Sequence, residues 1–216
     1  MARTRAQVKE AESLNPGLGS PSKTTRRKKE LVINDVPASK YIQRILIGAT
    51  TSLLTMGLLG WAVWTGRVIL TGNFATDKMS GFGSKLEFTL RFLILPILWI
   101  LVNDLLVMFA RVLNLEALDP LNDREDLVEV PNNILRNSME QVILTTVTQL
   151  SLISYLSAAE VARVIPFLNI TFLIGRIAYY AGYPRFRTYG FTMTFLPTAA
   201  AIAFVAYKFF VTTFLS

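Results

Sequence analysis

The chain has 216 residues, of which 52% are hydrophobic and 17% charged, with a formal net charge of +7 and neither cysteine nor histidine. Soluble domains carry about 25% charged residues, so this composition describes a membrane protein. The two absences exclude a disulfide framework, thiolate or imidazole metal ligation, and Ser-His or Cys-His nucleophilic catalysis, which leaves Arg, Lys, Tyr, Asp, Glu and amides to act on a nucleophile or cofactor brought from outside.

The basic excess belongs to the N-terminal segment. Residues 1–44 hold ten Lys/Arg against four Asp/Glu, and the other 172 hold twelve against eleven. Residues 1–40 are polar, with Pro16, Gly17, Gly19, Ser20 and Pro21 ahead of the run Arg26-Arg27-Lys28-Lys29. Such a stretch buries too little apolar area to offset its ordering entropy and is predicted to be a disordered basic tail. No short apolar core follows Met1 as in a secretory signal, and Glu10 and Glu12 do not suit a transit peptide. The basic run has the form of a nuclear localisation motif. In a multi-spanning chain it reads better as a cytosolic anchor that obeys the positive-inside rule and touches anionic lipid.

Five apolar stretches follow, each near the ~20 residues that cross a hydrocarbon core. They run Ile45–Trp64, Leu86–Ala110, Met139–Ala159, Val161–Tyr183 and Phe191–Leu215, together about half the chain. The expected architecture is an all-α membrane protein in three parts: the tail at 1–40, a first transmembrane helix and non-cytosolic loop at 41–85, and a four-helix transmembrane domain at 86–216. The third and fourth stretches are separated by almost nothing around Ala159 and Glu160, which predicts a tight antiparallel hairpin. Between the second and third lies an acidic loop with Glu116, Asp119, Asp123, Glu125, Asp126 and Glu129, which belongs in water. With a cytosolic N-terminus, the start of the third helix and the end of the fourth meet the cytosolic face.

Two clusters at that face carry the chemistry. The third helix opens Pro131-Asn132-Asn133-Ile134-Leu135-Arg136-Asn137-Ser138-Met139-Glu140, and the i, i+3 spacing puts Asn137 and Glu140 on one side with Arg136 flanking. Taken alone, these residues are explained better by an N-cap cluster that satisfies free backbone donors. The fourth helix closes with Arg176, Tyr179 and Tyr183 on one stripe, then Pro184, Arg185, Phe186 and Arg187. Interface tyrosines are commonplace, but Arg176 lies about two turns inside the helix and needs a polar partner, for which Glu140 is the natural choice. Elsewhere, Glu87 and Arg91 are spaced to pair with each other, and Asp104 either pairs with Arg111 or contributes to the bundle.

Together the two helix ends resemble the superfamily of membrane-associated proteins in eicosanoid and glutathione metabolism (MAPEG). Arg136-Asn137-Ser138-Met139-Glu140 matches its Arg-Asn-x-x-Glu motif. Arg176, Tyr179 and Tyr183 match its Arg-x-x-(Tyr/His)-x-x-x-Tyr motif. The likeness covers about Leu86 to Leu215, and the extra first helix and basic tail look most like the five-spanning, mattrin-type branch. It implies a homotrimer that binds glutathione between subunits near the cytosolic surface and admits lipophilic small molecules sideways from the lipid bilayer. No nucleic acid is implied. By the same resemblance Asn137 and Glu140 hold the tripeptide's backbone and amino group, Arg136 and Arg176 meet its carboxylates, Tyr179 and Tyr183 line the cleft, and Arg111 stands at its mouth.

The departure from the family lies in the catalytic cation. Active members place an arginine seven to nine residues beyond the last tyrosine, and here Gly190 and Thr192 bracket that place. Only Arg185 and Arg187 are available to stabilise a thiolate, a task worth about 2.7 kcal/mol for a two-unit drop in thiol pKa. The expected function is glutathione binding, with conjugation to lipophilic electrophiles or reduction of lipid hydroperoxides. The alternative is a non-catalytic adaptor in endomembrane trafficking or in regulating other membrane proteins. Either would reside in an endomembrane or the plasma membrane.

Overall fold

The computed structural model describes residues 38–67, 79, 81–117 and 125–215. Residues 1–37 of the expected disordered tail and the acidic residues Asp119 and Asp123 lie outside them, whereas residues 38–40, also assigned to the tail, are already helical. Five long helices make up the described chain: α1 (Ala38–Trp64), α2 (Phe82–Leu113), α3 (Glu129–Leu152), α4 (Ala158–Gly182) and α5 (Arg187–Phe214). Residues 38–43 form the first turns of α1, and from Arg44 onward the chain is one unit.

Four of these helices, α1, α2, α4 and α5, are long and apolar enough to cross a membrane, and the chain is an integral membrane protein. The fifth expected crossing, α3, has the length at 24 residues but falls short in composition. Its polarity is arranged inside out. Ser138, Gln141, Thr145, Thr148 and Gln149 are buried, whereas Met139, Ile143, Leu144 and Val147 are exposed. A helix in water shows the reverse pattern.

The helix ends correct the sequence reading. α3 starts ten residues before Met139, because Glu129 and Pro131 suit a first turn where a missing N–H costs nothing. It also ends seven residues before Ala159. The turn falls at 153–157, and Ser157 and Glu160 cap α4 reciprocally: Glu160 accepts from the Ser157 amide at 2.7 Å while Ser157 Oγ accepts from the Glu160 amide at 3.4 Å. Pro96, Pro166 and Pro197 all sit inside continuous helices.

α4 packs most extensively on α5, and α2 packs on both α3 and α4, while α3 packs on α5. α3 and α4, although joined by the hairpin, pack on each other far less than either packs on α2 or α5. The interior is layered along its length. At the hairpin end Phe88, Ile153, Val161, Ile165 and their neighbours form an apolar core. Midway, Asn169 donates to Gln149 Oε1 at 2.7 Å and Thr198 to Thr145 Oγ1 at 3.4 Å. Further along, Trp99 Nε1 donates to Ser138 at 3.3 Å. α1 lies outside these layers; it approaches α5 at Gly48, where an added Cβ would stand 3.1 Å from the Tyr189 nitrogen, and at Thr55, which accepts from the Tyr189 hydroxyl at 3.2 Å. Gly57, on the same helix, faces open space.

Asn169→Ala would leave the Gln149 carbonyl unpaired in the core, and its expected cost is about 1–3 kcal/mol. Replacing both amides with leucine should cost less than that single change. Denaturant unfolding of the two variants in detergent checks the order.

Candidate functional site

Arg176 is the largest fully buried side chain, at 0% exposure. Its Nη1 donates to Asn137 Oδ1 at 2.8 Å and its Nη2 to Thr194 Oγ1, so one guanidinium ties α4 to both α3 and α5. Its Nε is buried with no hydrogen-bond partner. No carboxylate pairs with it among the described residues. A lone buried ion costs several kcal/mol, offset in part by the faces of Tyr179 and Phe172, whose ring centroids lie 5.0 and 5.7 Å from the guanidinium carbon.

From Arg176 the stripe runs outward to the end of α4. Tyr179 is buried and its ring centroid is 5.8 Å from that of the half-buried Tyr183. Beyond it the chain turns through a cis Tyr183–Pro184 peptide and enters α5 at Arg187. Arg187 folds back over the Tyr183 ring at 5.8 Å and also faces the Tyr179 phenol. Arg185 is exposed in the turn. Asn137, Arg176, Tyr179, Tyr183 and Arg187 therefore form one cationic, aromatic cluster that runs from the bundle interior to its end.

The other sequence candidates fall elsewhere. Arg136 and Glu140 pair loosely with each other at 3.8 Å, their side chains 84% and 60% exposed. They border a shallow depression of about 400 Å³ formed by α3 alone, with Asn132, Leu135, Met139 and Ile143. Glu140 is thus not the partner of Arg176: it points outward, and Asn137 and Thr194 take its place. Arg111 is also committed away from the cluster. It donates to the Ala117 carbonyl at 2.9 Å and to Glu125 at 3.0 Å, closing the α2–α3 connection rather than pairing with Asp104. Glu87 and Arg91 pair as expected.

Two residues of the cluster were not singled out by their motif. Thr194 follows Gly190 by four on the same face of α5. Gly190 itself is where the family resemblance leads one to look for an arginine. A Cβ on Gly190 would stand 2.3 Å from the Tyr179 nitrogen and 2.4 Å from the Gly175 carbonyl oxygen. On the other side, a Cβ on Gly175 would meet Thr194 Cγ2 at 2.6 Å. The α4 and α5 backbones touch here, and no side chain fits between them.

No family model, curated protein or solved structure matches the chain. The site is described by its own geometry alone.

Gly190→Ala should separate α4 from α5 and cost upwards of about 1–3 kcal/mol as an overpacking change. Thr192→Arg, two residues along at a half-buried position, should cost less. Thermal unfolding of both variants in the same detergent tests the contact.

Proposed function

We propose that this is a MAPEG-like multi-pass membrane protein that binds glutathione, or a closely similar anionic thiol, where α4 ends and α5 begins. The observation that carries the reading is Arg176: a fully buried guanidinium with no carboxylate partner among the described residues, one nitrogen unpartnered, continued to the helix end by Tyr179, Tyr183 and Arg187. Glutathione has two carboxylates for guanidinium pairing and carries its own sulfur, which suits a chain with no cysteine or histidine. Arg136 and Glu140 face away from this cluster within one chain. In a homotrimer they would face a neighbouring copy, where Glu140 could take the ligand's ammonium.

Chemistry at this site rests on Arg187, the cation that reaches both tyrosines. Near a bound thiol it would favour the thiolate, the thiol proton leaving to water; the sulfur then adds to the electrophilic carbon of an activated C=C bond in a lipophilic substrate arriving from the bilayer, and the displaced π pair takes a proton from water. In the peroxidase variant two thiols reduce a lipid hydroperoxide to the alcohol and water and end as a disulfide. A second reading, a non-catalytic membrane adaptor with an inherited pocket, is favoured by Gly190: the backbone contact leaves no room for an arginine there.

Calorimetric titration of the purified protein with glutathione tests the site. Saturable binding is expected, weakened at least tenfold in Arg176→Gln, as for loss of a charge-assisted pair. No saturable binding at millimolar ligand refutes it. In a conjugation assay, activity abolished by Arg187→Ala supports the enzyme, and binding without turnover supports the adaptor.

A further inference from the structure

At the end of the bundle opposite the arginine–tyrosine cluster, α1, α4 and α5 part around a groove of about 400 Å³. Gly60, Phe167 and Ala200 are among its apolar walls, and Trp64, Phe204 and Arg163 are also part of its lining. It follows α5 from Phe204 to Pro197, about 10 Å at 1.5 Å per residue. There is room at its wall: an added Cβ on Gly60 would come only to ordinary contact with Phe167, at 3.8 Å.

Cations laid on aromatic rings border this groove. The Arg163 guanidinium lies 5.6 Å from the centroid of Trp64, and Lys208 Nζ lies 5.7 Å from that of Phe204; both rings line the groove. Arg67, just past the end of α1, stacks on Trp61 at 4.5 Å, one helical turn before Trp64. Neither Arg67 nor Arg163 pairs with a carboxylate among the described residues. Glu160, one turn before Arg163, is engaged by Ser157 at its own helix start and stands within electrostatic reach of Lys208. The arrangement is an apolar slot with a cationic, aromatic rim, on a helix side that faces lipid.

We propose that this groove binds one anionic phospholipid of the adjacent leaflet. One acyl chain lies along Ala200 and Phe167, and the phosphate is held by Arg163 with Arg67 and Lys208 near it. Charge complementarity selects the headgroup, since guanidinium forms paired hydrogen bonds with phosphate. The apolar length selects a lipid over a soluble phosphate, which would leave the groove unfilled. Tryptophan and arginine together at a membrane interface are suited to hold a headgroup at that depth. The site is separate from the arginine–tyrosine cluster and does not depend on what binds there.

Native mass spectrometry of the full chain in mild detergent, offered equimolar phosphatidylglycerol and phosphatidylcholine with identical chains, reads the site directly. The wild type should retain phosphatidylglycerol about tenfold over phosphatidylcholine, as for a charge-assisted contact. Arg163→Gln should cut that preference below about threefold, and Arg163→Lys should keep part of it, so a folding failure of the first variant leaves a second readout. Ala200→Phe should reduce retention of both lipids, with helical content by circular dichroism unchanged. Arg91→Gln, a charge change on α2, should leave the preference as in the wild type. Equal retention of the two lipids by the wild type overturns the proposal. So does unchanged phosphatidylglycerol retention in both Arg163→Gln and Ala200→Phe, which marks annular lipid, or displacement by equimolar glycerol phosphate, which marks a soluble anion site.

Discussion

The backbone contact between Gly175 of α4 and Gly190 of α5 governs the interior of this protein. In a bilayer, apolar surfaces gain little by leaving lipid for protein, so helices associate through close packing of small residues and through polar contacts. Gly175 and Gly190 supply the first, and the second follows from the same approach. With the backbones touching, Thr194 stands one turn along, within reach of Arg176, and Arg176 in turn reaches Asn137 on α3. Three helices are thereby joined at one level by a pair of glycines and one guanidinium. The open end of α4, where Tyr183 and Arg187 meet, is a product of that joint.

α3 shows the same logic in composition. Judged by hydropathy it is the weakest membrane helix, yet its polar residues are inside the bundle and its apolar ones outside. Gln149 meets Asn169 across the middle of the bundle, one of two levels, with Arg176–Asn137, at which side chains of the hairpin's two legs are hydrogen-bonded. Amides paired in this way specify register, because a slip of one residue would leave both unsatisfied in a dry interior. The polar residues that lower the helix's hydropathy are the ones that align it.

Much of the architecture was legible from apolar runs, since about 20 residues without charge have few other uses. Hydropathy marked only part of α3, because it reports contact with lipid and Glu129 to Ser138 is helix without being apolar; its opening was legible instead from the polar pattern that begins at Pro131. Ser157 and Glu160 have the Ser-x-x-Glu spacing of a helix start, but they lie within a stretch whose hydropathy reads as continuous. Depth alone indicated that Arg176 needs a partner. Which partner could not be read: Asn137 and Glu140 share a stripe by spacing, yet the stripe sits at the edge of the interface, so Asn137 turns in and Glu140 turns out. Gly190 was the least legible of all. In sequence it stands where an arginine is missing, and in the fold it is a position that admits no side chain.

The charges on α2 also shape the membrane around the protein. Arg91 and Asp104 are both exposed, and the twelve residues between them span only about 18 Å. On α5 the twenty residues between Arg187 and Lys208 are free of charge and span about 30 Å, the thickness of an ordinary hydrocarbon core. One flank of the bundle thus matches a full bilayer and the other presents an apolar band little more than half as wide. Where α2 borders lipid, a band of that width is accommodated by local thinning, by tilt or by snorkelling of the Arg91 side chain.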